Sequence, residues 1–410
     1  MSSPSTSRAR PPEPTAALVR AEPVIVPAIV VPPALRRYTK DLRRWRPGNE
    51  VALLRAGAET FPAMLDAIAS ARRTIHFETY IIQDDRTGQR FSDALIERAR
   101  AGVAVRLVYD AVGALELGAG FVARLREAGV EVVEYRPIAP WRRRWGWLRR
   151  DHRKIVVVDD EVAFTGGINI ADDYADAADG GKGWHDIHCQ VRGPIVLDLS
   201  RSFRRVWLRE GGAVYPAPPR PEAMLAEGPV VGRMLDNSER RRRRVFRRAY
   251  VRAINAARES VYLENAYFLP DRGVRAALYR AVRRGVDVAV IVPGNSDVKA
   301  IEFAGLYVYR RLTRRGVRIL SWRGPMMHAK TAVVDGAWST IGSYNLDHVS
   351  LHQNLEVTVE VLDTAHGQVM VDQFQRDAAR CDAFDPELWQ RLPWWKKALA
   401  ALAFRFRRWL

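Results

Sequence analysis

The chain has 410 residues, room for two or three ordinary domains, and 48% apolar content, enough for real cores. With 65 Lys and Arg against 47 Asp and Glu, its formal charge of +18 implies an anionic partner, either nucleic acid or an acidic membrane surface. No apolar run of about 18 residues occurs, which argues against a spanning helix, and Val24 to Leu35 is broken by Pro27, Pro32 and Pro33, unlike a signal-peptide core.

Residues 1–45, rich in Ser, Pro, Ala and Arg, show no periodicity and read as a disordered arm. Its basic end (Arg36, Arg37, Lys40, Arg43, Arg44, with Arg46 beyond) either touches lipid headgroups or is simply solvated. Residues 46–212 then alternate helix and strand: helix 61–71, strand 74–80, helix 92–101, strand 103–109, helix 120–128, strand 130–135. Trp141 to Arg150 interleaves tryptophans with arginines, which suits a bilayer interface, single-stranded nucleic acid, or a covering loop.

There follows His152-Arg153-Lys154, an apolar run to Asp159, and Gly166-Gly167-Ile168-Asn169. On a strand His152 and Lys154 share one face. Asp159-Asp160 suits a turn, so Asp159 is expected to hold structure although it belongs to the motif. Asp186 lies in Trp184-His185-Asp186-Ile187-His188, where a His185/His188 metal site lacks a third ligand. A Pro-rich linker covers 213–227.

Residues 228–385 repeat the first pattern: helix 245–257, strand 261–267, helix 273–284, strand 286–292, helix 300–314, strand 317–322. Gly102 and Gly285 occupy matching positions after a helix, where a left-handed C-cap is expected. Arg240 to Arg244 reads as a solvated charge run or an anion site. His328, Lys330, Asp335, Gly342, Ser343 and Asn345 then repeat the first motif at a constant offset of 176 residues, as 328−152 and 345−169 both show. Asp335-Gly336 is again a turn pair. Glu356 follows in an apolar strand run, where an unpaired acid would be costly. Glu78 and Glu264 begin matched strand ends and suggest structural pairing near the cleft; His348 and His352 read as support for the loop after the second motif. Cys189 and Cys381 are expected to be reduced and structural. In the tail, 386–410, Trp395, Leu399, Leu402, Phe406, Trp409 and Leu410 share a helical face while Phe404 does not fit it, so the tail reads as an amphipathic membrane anchor or a docked helix.

Each half thus offers an imidazole, an ammonium and an amide, and the second adds the Ser343 hydroxyl. Together they suit a phosphate: one His attacks phosphorus, the other handles the proton, and Lys154, Lys330, Asn169, Asn345 and Ser343 hold oxygens. Two duplicated α/β lobes, each a mixed sheet flanked by helices, would have to face each other to share that site.

The duplicated H-x-K-x4-D pattern resembles the phospholipase D superfamily. The segments around Asp151 to Asp159, Glu264 to Pro270 and Asn345 to Glu356 are most similar to bacterial cardiolipin synthases. The resemblance implies His152 as nucleophile and His328 as acid/base. A carboxylate downstream of each motif would orient its histidine, Asp186 in the first half and Glu356 in the second. It implies neither metal nor cofactor. Its substrate would be an anionic phospholipid, phosphatidylglycerol, used at the cytoplasmic face of the cell membrane without an obligate protein partner. Transphosphatidylation to cardiolipin is the leading expectation. Hydrolysis to phosphatidic acid, nuclease activity and an idle membrane-binding module are the alternatives; the intact motifs oppose the last, and the Trp/Arg loop and amphipathic tail favour lipid over nucleic acid.

Overall fold

The computed structural model describes residues 31–142, 144, 146–224, 228–239 and 242–406. The expectations for residues 1–30, Trp409 and Leu410, and for Arg240 and Arg241 within the arginine run, lie outside the described residues.

The chain opens with β1 (Arg46–Gly48), which belongs to the second sheet, and then runs through the first lobe as β2 (Glu50–Arg55), α1 (Ala56–Ala69), β3 (Thr74–Thr79), α2 (Arg86–Arg100), β4 (Ala104–Asp110), α3 (Ala119–Glu127) and β5 (Glu131–Tyr135). It continues through β6 (Ile155–Val158), β7 (Val162–Gly166), β8 (Ile187–Arg192) and α4 (Pro194–Arg209). The second lobe comprises β9 (Gly228–Asp236), α5 (Val245–Ala256), β10 (Ser260–Asn265), α6 (Arg272–Arg283), β11 (Asp287–Pro293), α7 (Lys299–Thr313) and β12 (Arg318–Trp322). Then come β13 (Lys330–Val334), β14 (Trp338–Gly342), α8 (His348–His352), β15 (Val357–Leu362), α9 (Thr364–Ala378), β16 (Cys381–Ala383), α10 (Leu388–Arg391) and α11 (Trp394–Arg405).

The first sheet has the order β2-β8-β7-β6-β3-β4-β5, and the second contains β9-β15-β14-β13-β10-β11-β12, the same order strand for strand. Each sheet is mixed: β3, β4 and β5 are parallel, as are β10, β11 and β12, while the motif hairpins β6–β7 and β13–β14 are antiparallel. The crossovers that parallel strands require put helices on the sheet faces. Gly102 and Gly285 adopt φ of +87° and +83°, the left-handed values their helix ends demand.

Two faces of these sheets bury each other. One apolar cluster joins Ile155, Val157, Ile187 and Val191 of the first lobe to Ile291, Val333, Ile341 and Val359 of the second. The lobes therefore share a core, and the two motif hairpins are fixed relative to one another by the same burial that stabilises the fold.

Residues 31–45 correct the expectation of a disordered arm. Val31, Leu35, Tyr38 and Trp45 are buried in the core of the second lobe. The adjoining β1 pairs antiparallel with β9, so the chain crosses the second sheet before it enters the first. Isolated aromatics carry no period and are legible only through the surface they cover.

Candidate active site

Strands β6 and β13 begin immediately beyond the two histidines and aim them at the lobe junction. His152 and His328 are buried, with ring centroids 6.5 Å apart. Each Nδ1 faces a carboxylate, but from the opposite lobe. His152 Nδ1 lies 3.1 Å from Glu356 Oε2, and His328 Nδ1 lies 2.8 Å from Asp186 Oδ2. This corrects the expectation that each half orients its own histidine. The backbone shows why the pairing crosses: His152 N–H donates to Leu355 O at 3.0 Å, and His328 N–H donates to His185 O at 2.7 Å. Short parallel bridges, Asp151 to Leu355 and His185 to Met327, thus set each motif beside the opposite lobe's carboxylate segment. With both Nδ1 atoms occupied, the Nε2 atoms are left for chemistry.

Small residues of the motif tails make room for this. A Cβ on Gly167 would fall 2.2 Å from Asp186 Oδ1. At the matching position of the second copy, the Ser343 hydroxyl donates to Glu356, and Ser350 Oγ donates to the other Glu356 oxygen at 2.7 Å. Ser343 therefore supports a carboxylate rather than standing free for phosphate. Asn169 is similarly engaged: its Oδ1 accepts from Ile81 N–H at 3.2 Å and its Nδ2 donates to Tyr174 Oη at 2.7 Å. Asn345 is buried and its Oδ1 has no partner, so of the three expected phosphate holders it retains a free polar atom.

The ammonium groups are buried beside the histidines. Lys154 Nζ donates to His152 O at 2.8 Å, and Lys330 Nζ donates to His328 O. Burial lowers Lys154 to about 7 and Lys330 to about 8. His152 is held well below the usual imidazole range by burial, then by Lys154, Lys330 and His328. Burial and Lys330 also lower His328, against the opposing pull of Asp186. The two carboxylates differ. Burial raises Glu356 to about 8 despite Ser343, Lys154 and Ser350, whereas Lys330 and the bond from His328 outweigh burial at Asp186 and keep it below the usual carboxylate range.

Asp159 and Asp335 are in the motif but not in this constellation. Asp159 accepts from the N–H groups of Arg72, Arg73 and Thr74 at 2.7–2.8 Å, and Asp335 from those of Arg258, Glu259 and Ser260 at 2.8–2.9 Å. Each ties its hairpin turn to the start of the neighbouring strand. Glu78 pairs with the buried Arg153 guanidinium, as structural pairing requires. Ala329 takes the place of Arg153 in the second motif, and Glu264 instead gathers with His185 and Asp377, their ligand atoms within 4.8 Å of one another. These residues fit a small cation by donor type, but His188 is not among them, so the His185/His188 pair does not form the site; His185 Nε2 lies 3.0 Å from Asp377 Oδ2. His348 and His352 lie together on α8, ring centroids 4.2 Å apart.

Several neighbours escaped the sequence reading. Tyr80 packs against His152 (5.0 Å between centroids), while Tyr174, Trp184 and Tyr267 surround His328 at 5.6, 6.2 and 6.2 Å. Tyr80 and Tyr267 follow the matched Glu78 and Glu264, a repeat signal that was available. Tyr174 and Trp184 come from an irregular segment with no counterpart, and nothing local marks them.

Outside the site, Trp141, Trp147 and Leu148 of the Trp/Arg loop are exposed, Trp141 to 86%, so these two rings are not buried over the lobe; Arg143 and Trp145 lie outside the described residues. Arg150 at its end is buried and bound to Asp110 at 3.0 Å. The tail helix α11 both docks and exposes apolar surface. Ala400 is buried and Phe404 packs 5.0 Å from Tyr307, whereas Trp394, Trp395, Leu399, Leu402 and Phe406 face outward. Phe404, the misfit of the amphipathic pattern, is the docking residue. Among the described residues no helix is long and apolar enough to cross a membrane.

A family model described as "Cardiolipin synthase, PLD-like domain" matches residues 64–207 and 250–378, one stretch in each lobe. The chain is 33% identical to cardiolipin synthase B of Salmonella typhimurium over 89% of each chain. It is 36% identical to cardiolipin synthase A of Pseudomonas fluorescens, over 80% of this chain and 68% of that one. Among solved structures, phosphatidylserine synthase of Haemophilus influenzae superposes with a TM-score of 0.66 at 15% identity, covering 87% of this chain and 93% of that one. That last likeness concerns the fold.

Proposed function

The chain belongs to the cardiolipin synthase, phospholipase D-like domain family, and from that premise we propose that it is a phosphatidyltransferase joining two phosphatidylglycerol molecules into cardiolipin and glycerol. The observation that carries the reading is the crossed pair of histidine–carboxylate contacts, with the two rings 6.5 Å apart. A tetrahedral phosphorus between two Nε2 atoms can be attacked from one side and lose its leaving group on the other.

His152 acts as the nucleophile. With its Nδ1–H donated to Glu356, Nε2 carries the lone pair that attacks phosphorus. The bond from phosphorus to the departing glycerol oxygen breaks, and His328 gives that oxygen its proton. Asp186, an ionised carboxylate on the Nδ1 of His328, favours the imidazolium this step requires. A second phosphatidylglycerol then surrenders a hydroxyl proton to the neutral His328 and attacks the phosphatidyl-His152 phosphorus, which frees His152. Lys154, Lys330 and Asn345 face the phosphate oxygens, while Asn169 and Ser343 brace the groups that do. Asp159 and Asp335 hold the hairpins.

The substrate sits in a bilayer, and the outward rings of Trp141, Trp147, Trp394 and Trp395, together with the excess of basic residues, suit peripheral attachment to an acidic surface, that of the cytoplasmic leaflet. Purified protein incubated with labelled phosphatidylglycerol vesicles should yield cardiolipin and glycerol in equal amounts. Phosphatidic acid as the sole product would make water the acceptor and overturn the transferase reading. Degradation of plasmid DNA without lipid turnover would replace it with a nuclease.

A further inference from the structure

Three helices of the second lobe converge on a cavity of about 510 Å³ that the histidine chemistry does not use. Helix α6 contributes Arg272, Arg275 and Tyr279, one face at i, i+3 and i+7. From α7 and the turn after it come Tyr307, Arg311 and Arg315, and α11 closes the cavity with Phe404 and Arg405. No lining residue lies on the strands or loops that carry the histidines.

Five arginines line this space and no carboxylate does. Among the described residues, Arg272, Arg311, Arg315 and Arg405 have no acidic partner within salt-bridge distance. Two of these side chains rest on tyrosines: Arg311 donates to Tyr307 Oη at 2.8 Å, and Arg315 lies 4.6 Å from the Tyr279 ring centroid. Some arginines near the cavity are paired outside it, as Arg247 with Asp271 and Arg318 with Asp287. Arg272, Arg311, Arg315 and Arg405 are exposed, so water screens their mutual repulsion and leaves them able to close on an anion, and guanidinium forks match phosphate oxygens. The volume falls within the range of small-ligand sites.

The position on α11 identifies the class of ligand. At about 100° per residue, Ala401, Phe404 and Arg405 occupy a strip roughly a third of a turn from the exposed apolar strip of Trp395, Leu399, Leu402 and Phe406. If the apolar strip enters the acyl boundary, the arginines lie at headgroup depth. We propose that this cavity is a second phospholipid site, one that holds the phosphate headgroup of an anionic lipid and moors α11 to the bilayer away from the histidines. The inference rests on the membrane-surface part of the proposed function, not on the transfer reaction.

The test uses the full chain and reads binding rather than turnover, so a protein that failed to make cardiolipin would leave it standing. Arg311→Gln with Arg315→Gln is compared with Arg90→Gln with Arg100→Gln, which removes equal charge from exposed sites on α2. On vesicles containing phosphatidylglycerol the cavity pair should weaken cosedimentation by about tenfold and the control pair by less than about twofold; melting temperatures should match. Equal losses from both pairs would overturn the site, leaving only diffuse attraction. Inorganic phosphate and glycerol phosphate serve as soluble probes. If either raises the melting temperature through the cavity arginines while vesicle binding of the cavity pair stays at the unmutated level, the cavity takes soluble phosphates and the lipid assignment falls.

Discussion

The Nδ1 of His152 lies 3.1 Å from a carboxylate oxygen of Glu356, a residue 204 positions away in the other lobe. The reciprocal contact joins His328 to Asp186 across 142 positions. Neither lobe therefore contains a complete histidine–carboxylate pair. The burial that joins the sheets also assembles the site, and the backbone bonds from His152 to Leu355 and from His328 to His185 hold it in register. Separating the lobes by even an ångström would leave both imidazoles without orientation.

From this pairing, Glu356→Gln should act on His152 although the two are in different lobes. Loss of the carboxyl group that faces Nδ1 unsettles the tautomer that leaves Nε2 free, and turnover should fall on the order of 10²–10⁴-fold with little change in KM. His152→Ala should abolish covalent labelling of the protein by radioactive phosphatidylglycerol. His328→Ala should instead retain label once the substrate carries a leaving group that needs no proton. Label surviving in His152→Ala, or absent from His328→Ala under those conditions, would reverse the two roles.

The lysines set an upper pH limit. Burial brings Lys154 to about 7 and Lys330 to about 8, so both are charged in mildly acidic solution and lose their protons as pH rises through these values. A neutral amine holds a phosphodiester poorly. KM for phosphatidylglycerol should therefore rise above about pH 8, and Lys330→Arg, which keeps its charge, should flatten that rise even if kcat suffers. A KM independent of pH from 6 to 9 would mean that the lysines do not grip the phosphate.

Much of this arrangement was legible beforehand because it is periodic or repeated. The constant offset between motifs identified two lobes, and the helix at 272–283, bounded by Asp271 and Gly285, differed by one residue at each end from the expected 273–284. What was hidden depends on contacts between distant segments. No local pattern states that Asp186 serves the other lobe's histidine, that Asp377 approaches His185, or that Tyr38 and Trp45 cover the second core. The roles assigned to Ser343 and Asn169 shifted for the same reason: residue type permits a phosphate contact, but their side chains are already bonded to Glu356 and Tyr174.

Asp335 should prove to be a stability residue. It accepts from three backbone N–H groups and from Tyr38 Oη at 2.7 Å, and these donors together outweigh the burial that opposes its charge. Tyr38→Phe removes one such bond and should cost about 1–3 kcal/mol, seen as a lower urea midpoint with kcat unchanged per folded molecule. Its folded pKa is depressed, so the carboxylate's contribution is complete above the unfolded value of about 3.9 and is lost as pH falls through the lower folded one. Urea midpoints for the unmutated protein and Asp335→Asn should accordingly converge only in strong acid. A large fall in kcat with stability intact would return Asp335 to the reaction.

The tail can be tested without dismantling the fold. Deleting it would also strip Phe404 from Tyr307 and Ala400 from its burial, confusing attachment with stability. Trp394, exposed to 79%, with Trp395, Leu399 and Leu402 faces outward, so serine at these four positions removes mostly outward apolar area and leaves the Phe404 and Ala400 contacts in place. At about 25 cal/mol per Å² of buried apolar surface, several such side chains are worth a few kcal/mol of partitioning. Cosedimentation with phosphatidylglycerol vesicles should fall by at least about tenfold, with the melting temperature unchanged or slightly higher. Turnover of substrate dispersed in detergent should persist, because no residue of the tail is among those gathered around the histidines. Undiminished vesicle binding would make α11 a docked helix whose outward rings have no role at the bilayer.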